Sequence, residues 1–280
     1  MPNMLTGVGG LVNTFTPLSV ASVAAGIFWD ATAPGILGKT DVANPALAVN
    51  QGDPVGLWVQ PNDTFANFQN VGNLNGLYQD TISSPDRRLT VDIVNGFRRA
   101  KGNGSNQWLN IADTLTLLGG TNWTMYAVVL YPSATYNLPV LGSQSDFGYF
   151  GYYQGSGYIQ DAANNKVVIG GVPTGVSMIR ARKVGTSAYL AVTGISEPAP
   201  SVASHSYSMS LVNSAPGSGV TSGTGSISGL IIANAVVSNQ DDASIQAWCL
   251  QNWGANLTSV RNFAADPVAP YGQYWLPRWN

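Results

Sequence analysis

Very little in this sequence could hold a metal, a disulfide or a dense ionic partner. Among 280 residues there is one cysteine, Cys249, and one histidine, His205. A single thiol excludes an intramolecular disulfide framework and a cysteine-based zinc cluster. A single imidazole excludes a two-histidine zinc site. Charged residues make up 9% of the chain, against roughly 25% in an ordinary soluble domain. Twelve Lys and Arg face fourteen Asp and Glu, for a net charge of −2. There is no basic stripe to neutralise phosphates, so nucleic acid is not an expected partner. Glutamate occurs once, at Glu197, and a chain so poor in this helix former is not mainly helical. The apolar stretch Leu18–Phe28 is far short of the roughly 20 residues a spanning helix needs, so membrane insertion is not expected. No Lys or Arg precedes Lys39, so a secretory signal is not expected either.

What the chain does have is apolar and β-branched residues, glycine and tyrosine. Hydrophobic residues make up 45% of it, enough for a sizeable core. Trp123–Tyr131 is the strongest strand: β-branched and aromatic, with no breaker inside, and ended by Pro132. Leu89, Val91 and Ile93 alternate with polar residues. Leu138–Ser143, Phe147–Tyr153, Val176–Lys183, Ala188–Thr193, His205–Leu211 and Ser226–Val236 also read as strands. Tyr158–Gln160 and Lys166–Ile169 flank a tight turn at Asn164-Asn165. The two glycines in Phe147–Tyr153 favour a bend or bulge. One helix stands out, capped by Ser238 and opened by Asp241 and Asp242, with Ile245, Trp248, Cys249 and Trp253 at helical spacing. About a dozen strands and one short C-terminal helix predict an all-β sandwich. Residues 1–26 read as an uncharged N-terminal arm, docked on its own sandwich or on a neighbour. Residues 27–254 form the sandwich, and residues 255–280 an extended tail rich in proline and aromatics.

Four segments carry a resemblance. Gly52-Asp53-Pro54-Val55-Gly56-Leu57-Trp58 is followed by an altered loop, Gln60-Pro61-Asn62-Asp63. Val94-Asn95-Gly96-Phe97 through Gln107-Trp108-Leu109 forms a hairpin pattern. Trp123–Val129 is a central strand, and Gly225–Gly254 a closing strand and helix. Together they resemble the concanavalin A-like, laminin G-like jelly-roll domains common in bacteriophage structural and tail proteins. The resemblance implies a concanavalin A-like jelly-roll β-sandwich with extended terminal arms. It implies a virion setting: a capsid decoration, tail or fibre component that assembles as a homo-oligomer with other virion proteins. It implies no activity, since this fold hosts lectins, hydrolases and inert modules alike. Ser228-Gly229 replaces the family's acidic residue, and Ala100-Lys101-Gly102-Asn103-Gly104 lacks its loop aspartate. Neither a metal nor another cofactor is therefore expected, and Asp53, Asp63, Asp80 and Asp86 are too scattered to suggest calcium.

Glycoside hydrolysis needs two carboxyl groups about 5–10 Å apart. Glu197 lies in a loop beside Pro198, and Asp241 with Asp242 reads as helix N-terminal charge, so an enzyme is not expected. The one lyase-like constellation is His205 and Tyr207 with Arg180 and Arg182. Arg87-Arg88 and Arg98-Arg99-Lys101 read as a solvated loop face or a contact with an acidic subunit. The aromatic residues offer more. Tyr149, Tyr152, Tyr153 and Tyr158 fall within ten residues, with Tyr149 and Tyr153 on one strand face and Phe150 and Tyr152 on the other. They suit stacking on a glycan, including a host surface glycan, or packing on a subunit. Tyr271, Tyr274, Trp275 and Trp279 in the tail suit an assembly contact. The reading from sequence is a non-enzymatic virion component, with a carbohydrate- or receptor-binding module as the alternative.

Overall fold

The computed structural model describes residues 15–24, 26–40, 45–61, 77–78, 87–117, 122–172, 174–193, 201–202, 207–220 and 222–253. His205, Glu197, Asp63, Asp80, Asp86 and the tail residues Tyr271, Tyr274, Trp275 and Trp279 lie outside the described residues.

Two antiparallel sheets of nine strands face each other, as the all-β expectation requires. The first runs β16 (Ser201–Val202), β15 (Ser187–Val192), β14 (Gly175–Val184), β9 (Trp123–Tyr131), β18 (Thr224–Ala233), β7 (Phe97–Asn103), β6 (Leu89–Val94), β3 (Pro54–Val55), with β1 (Ile27–Asp30) also pairing β18. The second runs β13 (Lys166–Ile169), β12 (Ser156–Gln160), β11 (Tyr149–Tyr153), β10 (Asn137–Gly142), β17 (Tyr207–Val212), β8 (Leu109–Leu117), β5 (Leu77–Tyr78), β4 (Leu57–Trp58), β2 (Leu37–Gly38). The expected strand Trp123–Tyr131 is β9 residue for residue, paired on both sides. That central place explains its lack of polar alternation, because both of its faces are buried.

The core between the sheets holds Trp29, Trp58, Trp123, Phe150, Tyr131 and Tyr152 with many aliphatic side chains. A second apolar cluster lies on the far side of the first sheet, where helix α2 (Asn239–Trp253) covers Phe28, Tyr126, Val128, Met178 and Ile231. Ile245, Cys249 and Trp253, four residues apart, form the helix's buried stripe. Ser238 caps the helix, accepting the Asp241 N–H at 3.2 Å and donating to the Asp241 carboxylate at 2.7 Å. A 3-10 turn (Pro17–Ser19) and the short helix α1 (Ala21–Ala24) add Val20 and Val23 to the same cluster. Residues 15–24 of the expected arm thus pack on their own sandwich.

Two local readings change. The charges Arg98, Arg99 and Lys101 lie on strand β7 rather than in a loop. Arg99 is buried and donates from Nε to Ser228 Oγ at 2.9 Å, while Lys101 lies 4.0 Å from Asp92. The Ser228-Gly229 departure has a packing reason. A Cβ on Gly229 would sit 2.2 Å from the Trp253 ring, so only glycine lets the indole lie on the strand. The Trp253 Nε1–H then reaches Asp30 Oδ1 at 2.7 Å and fastens the helix end to β1.

Candidate functional site

The aromatic cluster forms on the outer face of the second sheet, at the end where β11, β12 and β13 pair. Period-two alternation sends Phe150 and Tyr152 inward to the core and Tyr149 and Tyr153 outward. Gln154 and Gly155, both with positive φ, turn the chain tightly into β12. The register then sets Tyr149 opposite Gln160, and Gly151 opposite Tyr158. On the next strand Gln160 pairs with Lys166 and Tyr158 with Val168. Gly151 has φ +151°, and a Cβ there would lie 2.3 Å from the Leu138 carbonyl oxygen, where β10 bulges between Pro139 and Leu141. Glycine at this position lets β11 close on the bulge. The bend expected from the two glycines of this segment is this one.

These rows enclose a cup of about 200 Å³ lined by Phe147, Tyr149, Tyr153, Tyr158, Gln160, Asn164 and Lys166. The size is below the roughly 300–1,000 Å³ of drug-sized sites and suits a single ring. Tyr149 is the floor: it is 2% exposed, packs on Ala215 and Val220, and donates its hydroxyl to the Tyr152 carbonyl. Burial pushes its phenol well above the ordinary range, reinforced by the neighbouring tyrosines, so it stays a neutral donor. Tyr153 and Tyr158 are half-buried walls. Their ring centroids lie 6.4 and 6.1 Å from that of Tyr149 and 5.6 Å from each other, in tilted and edge-on arrangements. Phe147 is an exposed lip. Lys166 Nζ lies 5.7 Å from the Tyr158 ring centroid, and Gln160 Nε2 donates to Asn164 Oδ1 at 3.0 Å.

Of the four tyrosines expected together, three line the cup and Tyr152 does not. Tyr152 is fully buried between the sheets, stacked on Tyr131 at 4.9 Å with its hydroxyl 2.8 Å from Ser177 Oγ. The alternation that separates it from Tyr149 and Tyr153 is visible in sequence, but which face turns inward is not. Phe147, Gln160, Asn164 and Lys166 were not singled out from sequence. The signal for three of them is the Asn164-Asn165 turn: once it pairs β12 with β13, Gln160 and Lys166 share the face of Tyr158. Asn164 itself adopts φ +70° in that turn.

The described members of the lyase-like set, Tyr207, Arg180 and Arg182, do not form one site. Tyr207 lies in the core between the sheets, edge-on to Trp123 at 5.2 Å. Arg180 is on the helix side of the first sheet, bonded to Asp242 at 2.6 Å, and Arg182 lies over Tyr189 at 4.6 Å. The Asp241/Asp242 pair is divided between the Ser238 cap and the Arg180 bond. Asp53 is occupied by Lys39 at 2.8 Å and by the Val49 and Asn50 N–H groups. Among the described residues no three His, Cys, Asp or Glu side chains gather as a metal ion would need.

No protein-family model and no curated protein matches the sequence. Solved structures do share the fold. A family 54 α-L-arabinofuranosidase soaked with a cyclic sulfate inhibitor superposes with a TM-score of 0.52 at 10% identity, covering 83% of this chain and 64% of that one. An arabinofuranosidase complexed with arabinofuranosyl-α-1,2-xylobiose gives 0.51 at 12% identity, again over 83% and 64%. The chain therefore spans under two thirds of these glycosidases' length and shares a β-sandwich with them. The virion setting implied by the sequence resemblance draws no support from either.

Proposed function

We propose that this chain is a carbohydrate-binding module that seats one sugar ring in the cup of Phe147, Tyr149, Tyr153 and Tyr158. The observation that carries the reading is the cup itself: a ring-sized depression lined by four aromatic residues, two amides and one ammonium. A pyranose offers apolar C–H faces to such walls and hydroxyls to such a rim. The sandwich shared with arabinofuranosidases is compatible with this reading. The reading is binding without turnover: the cup's lining among the described residues holds aromatics, amides and a lysine, whereas glycoside hydrolysis needs a pair of carboxyl groups.

A glycan array on the full chain tests this. Binding to at least one glycan class is expected, weakened about tenfold or more by Tyr158→Ala or Tyr153→Ala without loss of folding. No hit with well-folded protein overturns the proposal, as does wild-type binding by both variants. Release of reducing sugar from arabinofuranosyl-xylo-oligosaccharides overturns the non-catalytic half. The virion role and homo-oligomeric assembly expected from sequence are tested separately, by counting copies of the chain in purified particles. Presence would make the cup a receptor-binding surface on the particle, and absence leaves a free-standing lectin.

A further inference from the structure

We infer that the ring held by this cup carries a carboxylate, as a uronic acid or another sugar acid does, and that Lys166 and Asn164 bind that group. The inference rests on the carbohydrate-binding reading and narrows its ligand class. Lys166 is the one charged side chain among the seven that line the cup. Its ammonium has no carboxylate partner among the described residues, whereas Lys39, Lys101 and Arg180 each face an aspartate within 4.0 Å.

The two aspartates nearest in sequence to the cup each accept backbone N–H groups of their own turns. Asp161 is 1% exposed and accepts the Ala163 and Asn165 N–H groups and the Asn165 side-chain amide. Asp146 accepts the Gly148 N–H at 2.8 Å. Neither lines the cup.

The polar rim offers donors together with the Gln160 Oε1 acceptor. Gln160 Nε2 uses Asn164 Oδ1 as its acceptor, which leaves Asn164 Nδ2 as a donor, and Asn164 and Lys166 both line the cup. The Tyr153 and Tyr158 hydroxyls have no protein partner among the described residues. A neutral ring offers the Lys166 ammonium only hydroxyl acceptors, whereas a carboxylate offers it a charge-assisted bond, roughly twice as strong.

The test titrates the full chain with matched methyl glycosides, galacturonate against galactose and glucuronate against glucose, followed by NMR shifts at low and at high salt. Preference for one acidic sugar over its neutral partner by about tenfold is expected at low salt, shrinking as salt screens the pair. Lys166→Gln is expected to abolish the preference and Lys166→Arg to retain it. Equal binding of acidic and neutral sugars, or a preference that survives Lys166→Gln, overturns this inference and leaves the cup as a neutral-sugar site. Binding of no sugar, in the titration and on the array, overturns both.

Discussion

Asp30 and Asp53 show how neighbours alone set an aspartate's behaviour. Burial pushes the Asp30 carboxyl above its ordinary value, against the hydrogen bonds from Thr32 and Trp253 that pull it back. Asp53 goes the other way: the hydrogen bond from Lys39, helped by the Asn50 and Val49 N–H groups, holds it at about 2. The two therefore contribute opposite pH slopes to stability. Asp53 binds its proton less tightly when folded, so its contribution is full above the ordinary value of 3.8 and is lost as pH falls toward 2. Asp30 binds its proton more tightly when folded, so its ionisation costs stability as pH rises past 3.8 through the raised value. Asp30→Asn keeps an acceptor for the Trp253 indole and is expected to gain stability relative to wild type as pH rises across this range. Asp53→Asn is expected to lose stability relative to wild type as pH rises from about 2 to 3.8. Denaturant unfolding of both variants across a pH series measures the two slopes, and slopes of one sign would refute the assignment. Neither environment was legible in the sequence, where both residues are ordinary loop or strand-end aspartates. Their partners Trp253 and Lys39 are brought to them by the fold.

Helix α2 is the element whose existence was plain and whose anchoring was hidden. Ser238, Asp241 and the spacing of Ile245, Cys249 and Trp253 mark the helix within one short window. Asp242 looks like one more N-terminal charge. In the structure it accepts the Tyr126 hydroxyl at 2.6 Å, Arg180 at 2.6 Å and Gln246 at 2.7 Å. Tyr126 and Arg180 stand on strands 116 and 62 residues away in sequence, beyond any local pattern. Burial, with the Asp242 charge beside it, drives the Tyr126 phenol well above its ordinary value, so Tyr126 remains a donor to that carboxylate. Asp242→Ala removes the anion that these side chains share and is expected to cost about 3 kcal/mol. Loss of α2 docking would show as altered fluorescence of Trp248 and Trp253, which pack edge-on at 5.2 Å. An unchanged unfolding midpoint would show that the apolar stripe alone holds the helix. The charges of strand β7 read as a solvated loop face for a related reason. Three cations in four residues look solvated, and only the pairing of β7 with β6 and β18 supplies Asp92 and Ser228.

At the scale of the molecule, β11 divides one tyrosine-rich segment between holding the sheets together and facing outward. Tyr152 stacks on Tyr131 of the opposite sheet, and the Tyr131 hydroxyl donates to the Tyr136 carbonyl and accepts the Gly155 N–H. That second bond holds the β11–β12 turn and with it the wall tyrosines of the cup. The all-β sandwich was legible because most strands announce themselves by alternation and turn residues. The cup was half legible, because the sense of the alternation is fixed by the β10 bulge and the long-range pairing of β10 with β17. This division makes the tyrosines separable by experiment. Tyr152→Ala leaves a cavity between the sheets and is expected to cost about 3–5 kcal/mol, the range for a large buried aromatic. Tyr152→Phe loses only the bond to Ser177, about 1 kcal/mol, and is expected to bind glycan as wild type does. Tyr153→Ala is expected to do the reverse, melting near the wild-type temperature while binding falls. If Tyr152→Phe weakened binding as much as Tyr153→Ala does, the hydroxyl between the sheets would be shaping the cup, and the core and the binding face would be one unit.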